Sequence, residues 1–404
     1  MSRSEKLYVA MVGLPAMGKS TVAAKLKENL EKEDIRVKIF NNGDVRRRLL
    51  PLNSSHAGFY DPDNDEALAI RERIADVNFS EAKAYLSEGG QIAILDATNA
   101  SAKRRQKLAE RLDNHPIVFI ECVNDDPELL SLSIGRKAKG PDFAHMCVDD
   151  ACKSFEERIN YYRRIYSPLA EEPHHIRVDT LNNRVITERM DSHVPFYPRI
   201  RDLLVSDWVK NLILVRHGET VFNREDRIGG DSDLTDKGRN QAWALSRHFL
   251  GTPIHYIFTS SKKRAKQMAA PLYETRSDCR MFSFVEFDEI DAGRCEGMTY
   301  EEVRQRMPEV WLERNKDKYN YVYPEGEGYV TLQERVNKGI KKALFLSGNS
   351  EYIVIVGHQA INRMILSHFL FRRTEDVPYI YIPQDKYFHI ISTQTKKLLE
   401  LRKY

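Results

Sequence analysis

Leu7-Tyr-Val-Ala-Met-Val12 followed by Gly13-Leu14-Pro15-Ala16-Met17-Gly18-Lys19-Ser20 decides the first half of this chain. The apolar run reads as a buried strand. The spacing G-x-x-x-x-G-K-S reads as a phosphate-binding loop. Lys19–Leu30 carries Val22, Ala23, Leu26 and Leu30 at helical spacing and reads as the helix behind it. The glycines let several backbone N–H groups converge on phosphate oxygens, and the helix adds the positive end of its dipole. Lys19 reaches toward the β/γ-phosphates of a nucleotide, and the Ser20 hydroxyl can ligate Mg²⁺.

Outward from this loop, strand-like and helix-like segments alternate. Val37–Phe40, Ile92–Leu95 and Ile117–Val123 predict further strands, while Ala102–Leu112 and Asp149–Tyr166 predict helices. Such alternation predicts an α/β fold with a parallel sheet covered by helices on both faces. Asp96 ends one of the strands, where a carboxylate can hold or orient a metal; it also stands where a helix N-cap would. Arg46, Arg71 and Arg104 are candidate anion binders for a phosphoryl acceptor, and spacing does not choose among them.

The pattern pauses over Arg189–Pro198, where two prolines suggest the end of a domain. A fresh strand, Asn211–Val215, then delivers Arg216-His217-Gly218-Glu219. We expect a boundary near residue 208, giving domains 1–208 and 209–404. A second apolar strand, Tyr352–Val356, ends at Gly357-His358. Two histidines just past strand ends, each beside a glycine, suit a neutral imidazole that attacks phosphorus and a partner that steadies the transferred group. Arg216 and Arg264 would neutralise the phosphoryl oxygens. Glu289 is the candidate acid for the leaving oxygen, with Asp288 and Asp291 as competitors.

Composition narrows the classes. The 404 residues suffice for two domains, with 42% hydrophobic and 30% charged residues. A net charge of +3 argues against a nucleic-acid or membrane partner. No apolar run reaches the length of a membrane span, and Met1–Lys6 carries no signal-peptide pattern. The five cysteines, Cys122, Cys147, Cys152, Cys279 and Cys295, lack metal-ligand spacing and predict reduced thiols in a cytoplasmic protein.

The order of motifs resembles the bifunctional 6-phosphofructo-2-kinase/fructose-2,6-bisphosphatase family, from about Leu7 to about Pro383. Longer stretches carry the resemblance: Phe40-Asn-Asn-Gly43, Pro62-Asp-Asn64, Asp96-Ala-Thr-Asn99, Arg227-Ile-Gly-Gly-Asp231, Glu289-Ile-Asp-Ala-Gly293, Met298-Thr-Tyr-Glu-Glu302 and Gly357-His-Gln-Ala360. It implies a P-loop kinase domain followed by a histidine-phosphatase (phosphoglycerate-mutase-like) α/β domain. The kinase would make fructose 2,6-bisphosphate from fructose 6-phosphate and MgATP. The phosphatase would hydrolyse it through a phosphohistidine, so that the pair regulates glycolysis and gluconeogenesis.

By the resemblance, Gly13 to Ser20 and Lys137 bind ATP, with Ser20 and Asp96 toward Mg²⁺. Arg46, Arg71, Thr98, Arg104, Arg158 and Tyr162 bind fructose 6-phosphate. Asp96 and Cys122 match catalytic positions, although Cys122 at a strand end is equally a packed thiol. His217 is the nucleophile and Glu289 the proton donor. Arg216, Asn223 and His358 stabilise the phosphoryl group. Gly229, Arg264, Tyr300, Arg314, Lys318, Tyr329, Gln359 and Arg363 hold the rest of the bisphosphate, with Arg314 and Lys318 at its 6-phosphate. A homodimer is also implied. Two departures stand out: Met17 in the glycine loop, and Tyr319-Asn-Tyr-Val-Tyr323 in a stretch that animal members fill with more arginine. Other readings keep both reactions on a different sugar phosphate, or make one domain a silent sensor.

Overall fold

The computed structural model describes residues 5–50, 54–370 and 373–404, so Met1–Ser4 of the leader reading lie outside it. The chain divides into two compact units, Met1–Ser206 and Asp207–Tyr404.

The first unit holds strands β1 (Leu7–Val12), β2 (Val37–Asn41), β3 (Ile92–Asp96), β4 (Ile117–Val123), β5 (His174–Asp179) and β6 (Arg184–Met190). They form one sheet in the order β2-β3-β1-β4-β5-β6. The first five run parallel and β6 returns antiparallel along the edge. Every residue of β1 is buried, as a central strand covered on both faces requires. Its side chains alternate between two cores. Leu7, Val9 and Met11 meet Ala23, Leu26 and Leu30 of helix Lys19–Glu31. Tyr8, Ala10 and Val12 meet Ala75, Phe79, Ala82 and Leu86 of helix Asp65–Ser87.

The pause over Arg189–Pro198 is not a terminus of that unit's structure. Pro198 lies in the first turn of helix Tyr197–Leu204, where its missing N–H costs nothing. Ile200, Leu203 and Leu204 of this helix join the first core.

The second unit holds β7 (Val209–Arg216), β8 (Ile254–Ser260), β9 (Arg280–Phe284), β10 (Tyr352–Gly357), β11 (Lys386–Ser392) and β12 (Lys397–Lys403), ordered β12-β11-β7-β10-β8-β9. The strands β7, β10, β8 and β9 are parallel; β11 pairs antiparallel with both β7 and β12. On one face Ala242 and Leu245 of helix Asp236–His248 pack with Ala265, Met268 and Leu272 of helix Lys263–Glu274. Register then sets the site: Gly357 pairs with Arg216, and Val356 with Thr259. His217, His358 and Ser260 therefore leave neighbouring strand ends together. No helix among the described residues is long and apolar enough to cross a membrane.

Candidate active sites

In the first unit the glycine loop leaves β1 beside β4. Gly13 adopts φ 130°, and a side chain there would strike the Cys122 carbonyl oxygen at 2.4 Å. Gly18 caps helix Lys19–Glu31 from the left-handed region, at φ 83°. Lys19 is buried and donates its Nζ to the carbonyls of Gly13, at 2.8 Å, and Leu14, at 2.6 Å. Burial pulls its ammonium down to about 8, against the opposing charge of Asp96. Asn41 pairs with Asp96 across β2 and β3, and its Nδ2 donates 2.7 Å to Asp96 Oδ2. The same Asn41 caps helix Asn42–Leu49 through its Oδ1, so one side chain ties the arginine-bearing helix to the carboxylate.

One cavity of about 580 Å³ joins this loop to the arginines. Pro15, Ala16, Gly18, Lys19, Ser20, Asp96, Thr98 and Lys137 line it together with Arg46, Arg71, Arg104, Arg158 and Tyr162. Gly13, Leu14, Met17 and Cys122 do not line it. Met17 turns into the core. Cys122 is fully buried, and burial pushes its thiol up to about 12. Arg104 reaches Glu72 at 2.6 Å, and Arg46 reaches Asp142 at 2.6 Å. Burial lowers the Lys137 ammonium, and the neighbouring Arg136 adds to that shift.

In the second unit His217 and His358 stand with ring centroids 5.1 Å apart. The Nδ1 of His217 lies 2.8 Å from the Gly218 carbonyl oxygen, which requires N–H at Nδ1 and leaves the Nε2 lone pair free. His358 has the opposite tautomer. Its Nδ1 accepts from Arg264 Nε at 3.2 Å, so its Nε2 carries the proton and donates 2.7 Å to Ser260 Oγ. Both rings are buried, and burial, then the Arg264 charge, holds both well below the ordinary histidine value. Burial likewise lowers Arg216, whose Nε finds no partner among the described residues.

Glu289 sits at the start of helix Gln359–Phe369 and accepts the N–H groups of Gln359, at 2.9 Å, and Ala360, at 3.1 Å. Its competitors are engaged elsewhere: Asp288 binds Ser261 through N–H and hydroxyl, and Asp291 accepts from Gly293 N. Asn223 completes a capping box with Thr220. Gly229 has φ 65°, and a side chain there would strike the Glu296 carboxylate at 2.1 Å.

Tyr300, Arg314, Lys318, Tyr329 and Arg363 form a second, basic and aromatic set. Arg363 donates 2.8 Å to Tyr329 Oη, and Arg314 lies over the rings of Tyr300 and Tyr323. Burial, then the charges of Arg314 and Arg363, brings Lys318 down to about 8. Arg363 also bears on Arg216, so the two sets share one field. Asn320 turns away, bonding Asp317 at 2.8 Å, and Val322 is exposed. A separate cavity of about 560 Å³ touches Gly229, Arg264 and Glu289, but its carboxylates outnumber its cations and His217 does not line it. It is a poor seat for a phosphate.

Four residues of these sites carry no motif of their own. Tyr60 and Asp142 hold the cavity arginines, Ser260 fixes His358, and Gln384 donates to both Gly218 O, at 3.2 Å, and Asn223 Oδ1, at 2.8 Å. The aromatic pair Phe59-Tyr60 just before Asp61-Pro62 was the available signal for the first.

A P-loop kinase unit followed by a histidine-phosphatase unit is the class these folds and sites define. Residues 1–197 match the family model described as 6-phosphofructo-2-kinase, and residues 212–401 that described as histidine phosphatase superfamily (branch 1). The 6-phosphofructo-2-kinase/fructose-2,6-bisphosphatase 3 of Rattus norvegicus is 34% identical over 391 residues, covering 93% of this chain and 68% of its own. The protein of the same name from Homo sapiens is 34% identical, covering 93% and 72%. The 6-phosphofructo-2-kinase/fructose-2,6-bisphosphatase 1 of Rattus norvegicus is 34% identical over 388 residues, covering 93% and 79%. The chain belongs to the bifunctional 6-phosphofructo-2-kinase/fructose-2,6-bisphosphatase family.

Proposed function

We infer that this chain makes fructose 2,6-bisphosphate from fructose 6-phosphate and ATP in its first unit, and hydrolyses it to fructose 6-phosphate and phosphate in its second. The observation that carries the reading is the pairing of a cavity lined by Lys19, Ser20, Asp96, Arg46, Arg71, Arg104 and Arg158 with two neutral, oppositely protonated histidines on one chain.

In the kinase unit the loop N–H groups and Lys19 bind the nucleotide phosphates, and Arg46, Arg71, Arg104 and Arg158 bind the sugar phosphate. Placement and charge neutralisation are most of what phosphoryl transfer asks of a protein. Hard oxygen donors at Ser20 and Asp96 fit Mg²⁺ arriving with ATP, Asp96 being buried and steadied by Asn41. When bound, the ion neutralises the phosphate charge. The Cys122 side chain packs in the first core, and its backbone carbonyl lies beneath Gly13.

In the phosphatase unit His217 Nε2 attacks the C2 phosphorus, the P–O bond to the sugar breaks, and Glu289 supplies the proton to the leaving oxygen. Water then attacks the phosphohistidine and returns a proton to Glu289. Arg216 and Arg264 hold the phosphoryl oxygens throughout, His358 steadies Arg264 by accepting from its Nε, and Arg314 with Lys318 take the 6-phosphate. We also carry over from the family a homodimer and a cytoplasmic location.

The test is a rapid-quench experiment with bisphosphate labelled at the 2-phosphate. Acid-labile label on the peptide containing His217 supports the reading. Turnover with no labelled enzyme overturns the phosphohistidine step.

A further inference from the structure

Three of the cavity arginines are organised by a residue that no motif marks. Tyr60 is buried and lines the cavity. Its hydroxyl accepts from Arg46 Nη1. Its backbone carbonyl accepts from Arg71 Nη1 at 3.0 Å. Its ring lies under the Arg158 guanidinium, 3.8 Å from ring centroid to Cζ. The same ring meets Tyr162 at 5.9 Å. Three different parts of one side chain and its peptide therefore hold three different cations.

The chemistry of this arrangement is unusual for like charges. Three guanidinium groups brought to one wall repel one another; Arg46 is offset by Asp142 at 2.6 Å, whereas Arg71 has no carboxylate partner among the described residues and keeps its charge for an anion, as does Arg158. A phenol, a carbonyl and a ring face are uncharged partners. The Nε atoms of Arg46, Arg71 and Arg158 are all buried without a hydrogen-bond partner among the described residues. Arg158 has no carboxylate partner among those residues. Donors held in place and left unsatisfied point to an anion with several oxygens.

We propose that Tyr60 is the positioning residue for the sugar-phosphate end of the kinase cavity, setting the mutual placement of Arg46, Arg71 and Arg158. This rests on the reading of that cavity given above. The hydroxyl positions Arg46 and the ring positions Arg158, so the two contributions are separable by substitution.

The experiment measures initial rates of synthesis and of hydrolysis on the full chain, for wild type, Tyr60→Phe and Tyr60→Leu. Tyr60→Phe raises KM for fructose 6-phosphate about fivefold, and Tyr60→Leu about thirtyfold or more, as the ring contact is lost too. KM for ATP and both hydrolysis constants stay within about twofold. A residue that merely supports the fold would move both kinase KM values, or kcat and thermal stability, together. An unchanged KM for fructose 6-phosphate in Tyr60→Phe overturns the proposal, as does an equal rise in both kinase KM values. If Tyr60→Leu does not fold, Tyr60→Phe decides alone. Wild-type protein that does not phosphorylate fructose 6-phosphate would sink the functional reading itself, a result distinct from either.

Discussion

His217 and His358 face each other at 5.1 Å with opposite tautomers, the first protonated at Nδ1 and the second at Nε2. The arrangement follows from register, because β7 and β10 end side by side and place each ring against a different partner. It predicts a nitrogen NMR signature. Both imidazoles should remain neutral through pH 6, with the proton on Nδ1 of His217 and on Nε2 of His358. Their lowered values also mean that the unfolded chain binds more protons below pH ~6.5, so stability falls as pH drops through that range. Titration of either ring with a midpoint near the ordinary histidine value would contradict this.

Gln384 ties Gly218, beside His217, to Asn223, since its amide serves both Gly218 O and Asn223 Oδ1. Gln384→Leu should lower kcat for hydrolysis about tenfold, the loss of roughly one well-placed hydrogen bond or slightly more. Synthesis should be unaffected. Paired assays of the two reactions check it, and equal losses in both would argue against a local role.

Lys19 sits at about 8 in the free protein, so its charge is present at pH 7 and mostly gone at pH 9. In the proposed reading the nucleotide phosphates need that charge. ATP affinity should therefore be about tenfold weaker at pH 9 than at pH 7. Lys19→Ala should bind ATP weakly at both values and lose the dependence. Calorimetric titration at the two pH values reads both outcomes.

The parts of these sites that could be read from sequence are the parts built locally. Gly13–Ser20 declares itself because one loop supplies the whole phosphate cradle, and β1, β3, β4, β7 and β10 declare themselves as continuous apolar runs. Strand β6 is an exposed edge with little alternation, and the β11–β12 hairpin joins β7 from far along the chain. Local pattern carries no trace of such pairings. Tyr60, Asp142, Ser260 and Gln384 were missed for the same reason: each acts through a partner brought near by folding, 14 residues away for Tyr60 and Arg46 and 161 for Gln384 and Asn223. The run Lys103-Arg104-Arg105 shows the limit well. Spacing could not choose among Arg46, Arg71 and Arg104, and all three line the cavity, while Arg105 beside Arg104 faces the interior.

Arg105 is 2% exposed, pairs with Glu172, and donates to the carbonyls of Asn99, Ala100, Ser167 and Pro168. It clasps the segment just after Asp96-Ala97-Thr98. Arg105→Met would leave Glu172 and several carbonyls unpaired, at a cost of about 3–5 kcal/mol. Thermal unfolding should show the first unit melting earlier. Hydrolysis should persist at temperatures where synthesis has been lost.

The central claim is that two independent phosphoryl chemistries act on one metabolite within this chain. The most direct measurement takes initial rates of fructose 2,6-bisphosphate synthesis and hydrolysis on one preparation each of wild type, Lys19→Ala and His217→Ala. The account predicts both activities in wild type, hydrolysis without synthesis in Lys19→Ala, and synthesis without hydrolysis in His217→Ala. Wild-type protein with neither activity, or a single substitution that abolishes both in folded protein, would contradict it.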